Sequence, residues 1–210
     1  MRKAVVAFAL ALSLAVASAV QAAPSAWTID PNHSQVGFSI RHFFSKVPGT
    51  FTKYSGTIVY DPEKPAASSV KAEIDAASIS TNNEKRDNHL RSEDFFFVEK
   101  YPTITFVSTK VTPVGDKKLM VDGNLTMRGV TKPATLDVTF LGSGPSMGGE
   151  QRAGFEAATK VNRKDFNILW NKVLDQGGTM LGDDVDIQIA VEGVIRPAEP
   201  PAKPGAPSKS

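Results

Sequence analysis

The chain has no cysteine, and its 210 residues include only three histidines and two tryptophans. Without cysteine there is no disulfide framework and no thiol chemistry, so stability must come from packed secondary structure. Basic residues number 24 against 22 acidic ones, a near balance that gives no field for nucleic acid or an anionic surface. No phosphate loop or dinucleotide fingerprint is present. Long apolar runs are also scarce. The single one, Ala4 to Val20, follows Arg2-Lys3 and ends in Val20-Gln21-Ala22-Ala23-Pro24. That is the pattern of a secretory signal (residues 1–22) cut after Ala22 or Ala23. The competing reading, a retained anchor, is disfavoured because the run is short, rich in alanine and ends in a processing site. Cleavage after Ala22 removes Arg2 and Lys3 and leaves 22 basic residues against 22 acidic ones in one domain-sized chain. The expected destination is the periplasm or the exterior.

At the other end, residues 196–210 hold five prolines and no large apolar side chain, so a disordered tail is expected there. Between the two, residues 25–195 alternate at period two, the mark of half-buried strands. Val36-Phe38-Ile40-His42, Tyr54-Gly56-Ile58-Tyr60, Val70-Ala72-Ile74, Leu119-Val121-Gly123-Leu125-Met127, Ala134-Leu136-Val138-Phe140, Ala153-Phe155-Ala157 and Val185-Ile187-Ile189-Val191 each share a parity, and Ile104 with Phe106 marks another strand. Eight strands joined by turns such as Asp61-Pro62 and Arg128-Gly129 predict an all-β sandwich or closed antiparallel barrel, with closure favoured because it removes edges. Two segments break the alternation. Thr81-Asn82-Asn83-Glu84 has capping-box spacing, which predicts a short helix from about Asn82 to Arg91 between strands 3 and 4. Arg163 to Asp175 is expected to form a helical turn or loop before the last strand, near one barrel mouth.

The helix runs from Arg86-Asp87-Asn88-His89-Leu90-Arg91 through Ser92-Glu93-Asp94 into Phe95-Phe96-Phe97 and on to Tyr101-Pro102, which reads as a polar lid over an apolar interior. Together with Trp27 to Ser34, Val36 to His42, Gly49-Thr50-Phe51, Gly123 to Pro133 and Trp170-Asn171 with Gly177-Gly178, this run resembles the YceI family of periplasmic lipocalin-like proteins. Phe97 stands where that pattern has aspartate and Asn167 where it has glycine. The resemblance implies an eight-stranded lipocalin-like barrel whose apolar tunnel holds a polyisoprenoid, such as a quinone tail or a polyprenyl phosphate. It implies no cofactor beyond that lipid, no catalysis and no nucleic-acid partner. Transient membrane contact and a monomer or homodimer are compatible with it.

The residues expected to wall the tunnel are Phe38, Ile40, Phe51, Tyr54, Phe95, Phe97, Phe106, Phe155 and Trp170. Gly56, Ala72, Gly123, Ala134, Ala153 and Ala157 are expected to leave it hollow, since an eight-stranded barrel can otherwise fill with its own side chains. His33, Arg86, His89 and Arg91 are candidates to meet a polar head group, arginine because its planar fork suits phosphate oxygens. His33 and His42 have opposite parity on one strand, which disfavours a shared metal. The cluster Asp183, Asp184 and Asp186 lacks EF-hand spacing and reads as a solvated turn. Two alternatives stand beside the carrier reading: an isoprenoid-modifying enzyme using His89 with Asp87, and a ligand-free stress-response interaction protein.

Overall fold

The structure, a computed structural model, describes residues 25–175 and 177–195; the expected signal at 1–22 and tail at 196–210 lie outside the described residues. Eleven antiparallel segments share one sheet: β1 (Ser25–Ile29), β2 (Gln35–His42), β3 (Ser45–Phe51), β4 (Tyr54–Tyr60), β5 (Ser69–Asp75), β6 (Ile79–Ser80), β7 (Thr103–Gly115), β8 (Lys118–Met127), β9 (Val130–Pro145), β10 (Gln151–Asn162) and β11 (Leu181–Ile195). Six of these segments are halves of three bent strands. A 3-10 turn at Pro31–His33 separates β1 from β2, Thr52-Lys53 separates β3 from β4, and a 3-10 turn at Ala76–Ser78 separates β5 from β6. Two of the bends are written locally as Asx turns. The Asp30 carboxylate accepts from the Asn32 N–H at 3.1 Å, and that of Asp75 from the Ala77 N–H at 2.9 Å.

Counted as bent strands there are eight, paired up and down in chain order, and β11 closes the ring on β1 (Thr28↔Val194) and β2 (Ile40↔Val185). The expected closed eight-stranded barrel is the observed one. Its wall alternates inward and outward as the period-two pattern requires, and two buried clusters occupy opposite ends. Phe51, Ile79, Phe95, Ile104, Phe166 and Ile168 pack at one end, and Trp27, Tyr60, Val111, Leu119 and Phe155 at the other.

The helix α1 (Glu84–Arg91) covers the first of these ends. It does not begin with the expected capping box. Asn82 takes a positive φ of 58°, which turns the chain and moves the N-cap to Asn83, whose side chain accepts from the Arg86 N–H at 3.0 Å. Thr81 is bound instead to Asp87, donating its backbone N–H to that carboxylate at 2.8 Å. A second cover comes from the β10–β11 connection, a 3-10 turn at Arg163–Phe166 followed by irregular chain. Asn167 ends that turn at φ 59°, a left-handed conformation asparagine tolerates. Arg128, in the β8–β9 turn, donates to the Glu93 carbonyl at 2.6 Å and also to the Asn167 carbonyl, tying both covers to the barrel.

Candidate functional site

Inside the barrel lies a cavity of about 390 Å³, walled by inward residues of every strand and reaching the lid. Its volume falls in the range of small-molecule sites. The wall is overwhelmingly aliphatic and aromatic, so water gains little there; far smaller cavities of this character stay dry and take apolar guests. At the end opposite the lid, the rings of Tyr60, Phe140 and Phe155 cluster with centroids 4.5–5.6 Å apart, Tyr60 edge-on to Phe155 and the other two pairs tilted, and plug the bore. Burial pushes the Tyr60 hydroxyl above its usual range, with the charges of Asp116 and Asp61 acting the same way.

The source of the free volume differs from the expectation. A Cβ on Gly123 would lie 2.4 Å from the Phe106 ring, and one on Gly56 would lie 2.6 Å from the Lys71 carbonyl and 2.8 Å from Ile29. Those two glycines accommodate neighbours pressed against the backbone and leave nothing hollow. Ala153 is also filled round, buried in the far cluster. The space belongs to Ala72, Ala134 and Ala157, which do line the cavity.

At the lid the wall turns polar. Thr81, Arg86 and His89 reach the cavity. The Thr81 hydroxyl donates to buried Asp87 and accepts from Arg86 Nε at 2.7 Å, while Arg86 Nη2 donates to the Thr81 carbonyl at 2.9 Å. His89 is hydrogen-bonded to Asp94 at 2.8 Å and meets Phe95 and Trp170 edge-on at 5.0 and 4.9 Å. Arg163, also at the cavity and almost wholly buried, donates to the carbonyls of Gly182, Ile168 and Trp170 at 2.7–2.9 Å. Burial lowers its pKa, and Asp183 opposes that shift.

Of the residues expected on the wall, Phe38, Ile40, Phe51, Tyr54, Phe95, Phe106, Phe155 and Trp170 line the cavity; Phe97 does not. It holds φ 49° and turns away to meet Tyr101 edge-on at 5.9 Å, beneath the Lys100 ammonium. The segment forms turns closed by the Phe95 and Phe97 N–H groups on the Ser92 carbonyl, and its inward pair is Phe95 and Phe96. Phe96, Leu90, Thr81 and Ile168 are wall residues that sequence reasoning missed. A helical reading of 86–97 signals Leu90; the irregular loop holding Ile168 carries no such signal.

Two of the four head-group candidates also move. Arg91 spends its guanidinium on the carbonyls of Ala77 and Ile79, both at 2.8 Å, fastening α1 to the bent third strand. His33 sits in the exposed 3-10 turn, outside the cavity, and binds Asp30 at 2.8 Å. There the Arg152 guanidinium reaches Asp30 at 3.0 Å, Glu150 at 2.8 Å and Glu192. The His33 bond is the strongest cause holding the Asp30 carboxyl down at about 2, with burial opposing it and Asn32 and Arg152 assisting. Glu192, then Glu150 and Asp30, raise the Arg152 pKa. Asp30, His33 and Glu192 bring ligand atoms within 4.8 Å of one another, but Arg152 already supplies the cation among them. Asp183 pairs with Lys164 and Asp186 with Lys46 at 2.8 and 2.6 Å, each carboxyl lowered chiefly by that lysine. Asp87 is committed to Thr81 and His89 to Asp94, so the pair named for catalysis is not assembled.

A YceI-like domain model matches residues 27–193. A UPF0312 protein of Pseudomonas putida is 42% identical over 189 residues, covering 89% of this chain and 95% of that protein. Protein YceI of Escherichia coli O157:H7 is 45% identical over 163 residues, or 77% of this chain and 82% of that protein. Among solved structures, Burkholderia cenocepacia BcnA is 27% identical with a TM-score of 0.70, covering 78% of this chain and 98% of that one. A polyisoprenoid binding domain from Saccharophagus degradans has 14% identity and a TM-score of 0.57 over 81% of this chain and 98% of that one, a likeness of fold alone. With a family model spanning the barrel and relatives above 40% identity across most of both chains, the protein belongs to the YceI-like domain family.

Proposed function

We propose that this protein is a non-enzymatic periplasmic carrier that holds the chain of a polyisoprenoid, such as a quinone tail or polyprenyl phosphate, inside its barrel. The observation that carries this reading is the 390 Å³ cavity: closed at one end by aromatic rings, predominantly apolar along its length, and met by arginine and histidine side chains at the lid. Each ligand methylene buried there gains about 0.8 kcal/mol, so ten offer about 8 kcal/mol before ordering costs, without any charge pair. Thr81, Arg86 and His89 then sit where the polar end of the guest emerges. The shared fold with a polyisoprenoid binding domain agrees with this choice of ligand, and the signal pattern of residues 1–22 supports export. Native mass spectrometry of protein purified from the periplasm tests the reading: an added mass in the prenyl range is expected, and a bare polypeptide mass would refute it.

A further inference from the structure

The turn between β2 and β3 consists of Phe43 and Phe44, set between the paired residues His42 and Ser45. Two-residue hairpin turns select glycine, asparagine or aspartate because they need positive φ. Here Phe43 holds φ 50°, a conformation that bulky side chains avoid. Neither ring is placed in the core: Phe43 is exposed and Phe44 entirely so. Turn chemistry and burial both argue against phenylalanine at this tip, and such a conflict points to contact with something apolar outside the chain.

The adjacent loop presents the same character. Leu169 and Val173 are exposed and flank Trp170, a cavity residue. The two loops are joined, since the Phe43 N–H donates to the Met180 carbonyl and the Met180 N–H to the Lys172 carbonyl, both at 2.9 Å. His42, Met180 and Trp170 line the cavity, so the exposed rim is continuous with the interior wall. Two lysines near it are paired, Lys46 with Asp186 and Lys164 with Asp183, and Arg41 donates to the Phe43 carbonyl at 3.2 Å. Val114, Leu141 and Met147 are also exposed, but they lie at the opposite end, beyond the aromatic plug.

We propose that Phe43, Phe44, Leu169 and Val173 form a rim that inserts into a lipid bilayer and seats the mouth of the barrel on it. The inference rests on the carrier reading, because a long apolar guest resides in a bilayer before it enters the protein. Flotation with phosphatidylcholine vesicles tests it. The wild-type protein is expected to float, the F43S/F44S variant to lose at least tenfold in partition, and M147S to match wild type. Quenching of Trp170 fluorescence by brominated phosphatidylcholine in the unmutated protein gives a second readout, Trp27 being buried at the far end. A wild-type protein that neither floats nor is quenched overturns the proposal. So does flotation unchanged in F43S/F44S, or a wild-type dimer that fails to float and that the same variant converts to monomer. Loading of a polyprenol from detergent is measured in parallel: a protein that loads but does not float refutes the rim alone, and one that does not load refutes the carrier reading.

Discussion

Replacing Ala157 with leucine places three more carbons into the bore, midway along β10, where the native side chain faces the cavity between Ile189 and Val138 of the neighbouring strands. In the empty protein those carbons exchange water for an apolar wall, with no neighbour to displace. At about 0.8 kcal/mol per buried methylene the variant gains about 2 kcal/mol, which for a domain of this size raises Tm by about 4–8 °C. The same carbons occupy space that a prenyl chain would fill, so the guest loses about 2 kcal/mol and its Kd rises about thirtyfold. Opposite signs for stability and affinity are the signature of a hollow bore. Calorimetry of lipid-free protein gives the first and titration with a fluorescent prenyl probe the second. If the bore is instead filled by the protein itself, leucine is overpacked and stability falls by about 1–3 kcal/mol; a lowered Tm refutes the reasoning.

Phe96→Asp puts a charge on the wall and should abolish prenyl loading with the far-UV spectrum retained, while Phe97→Asp, outside the cavity, should leave loading within about twofold. Arg128→Ala removes the donor to both Glu93 and Asn167; about 2 kcal/mol of stability should be lost, with hydrogen exchange accelerated in residues 90–101 and 163–170 ahead of the barrel strands. Asp30 is held at about 2 in the folded state against an ordinary 3.8. Its contribution, on the order of 2 kcal/mol, is therefore present above pH 4 and lost as pH falls towards 2. Urea midpoints of wild type and Asp30→Asn should differ at neutral pH and converge near pH 2.

The barrel was legible in the sequence because its wall obeys one period. Val36, Phe38, Ile40 and His42 share a parity and all four face the cavity, as do Leu119, Val121, Leu125 and Met127. What stayed illegible lies where that period stops. Phe97 is expected on the wall but lies in a turn closed on the Ser92 carbonyl, and His33 is expected at a head group although Pro31 starts a 3-10 turn that places it outside the cavity. Arg91 sits on the correct helix, but the carbonyls that claim it, those of Ala77 and Ile79, belong to the β5–β6 bend, and no periodicity signals that contact between distant residues. Gly56 and Gly123 show a further limit: a small residue in a barrel leaves space only if no neighbour covers it, and the Phe106 ring covers Gly123.

The three bends set the lidded end apart from the far end. They occur in adjacent strands at one level and are tied across it: the Thr52 N–H donates to the Ser78 carbonyl at 3.2 Å and the Asp75 N–H to the Lys53 carbonyl at 3.0 Å. Tyr54 joins them, donating its hydroxyl to the Ser34 carbonyl while its ring faces the bore. Beyond this level β3 pairs with β6 only at Thr50↔Ser80 and Phe51↔Ile79. Among the described strands, Ser45 to Gly49 have no partner on that side. An unpaired edge invites association with other chains, and this one carries Lys46 and Pro48, which suit an edge. A helix fastened by Arg91, Arg128 and the Thr81–Asp87 contacts can yield by breaking a few side-chain bonds, whereas opening the far end would require separating the Tyr60, Phe140 and Phe155 rings and parting continuous ladders. On the carrier reading proposed above, the lidded end is therefore the expected entrance for a guest, and the Phe43-Phe44 turn stands at that same end.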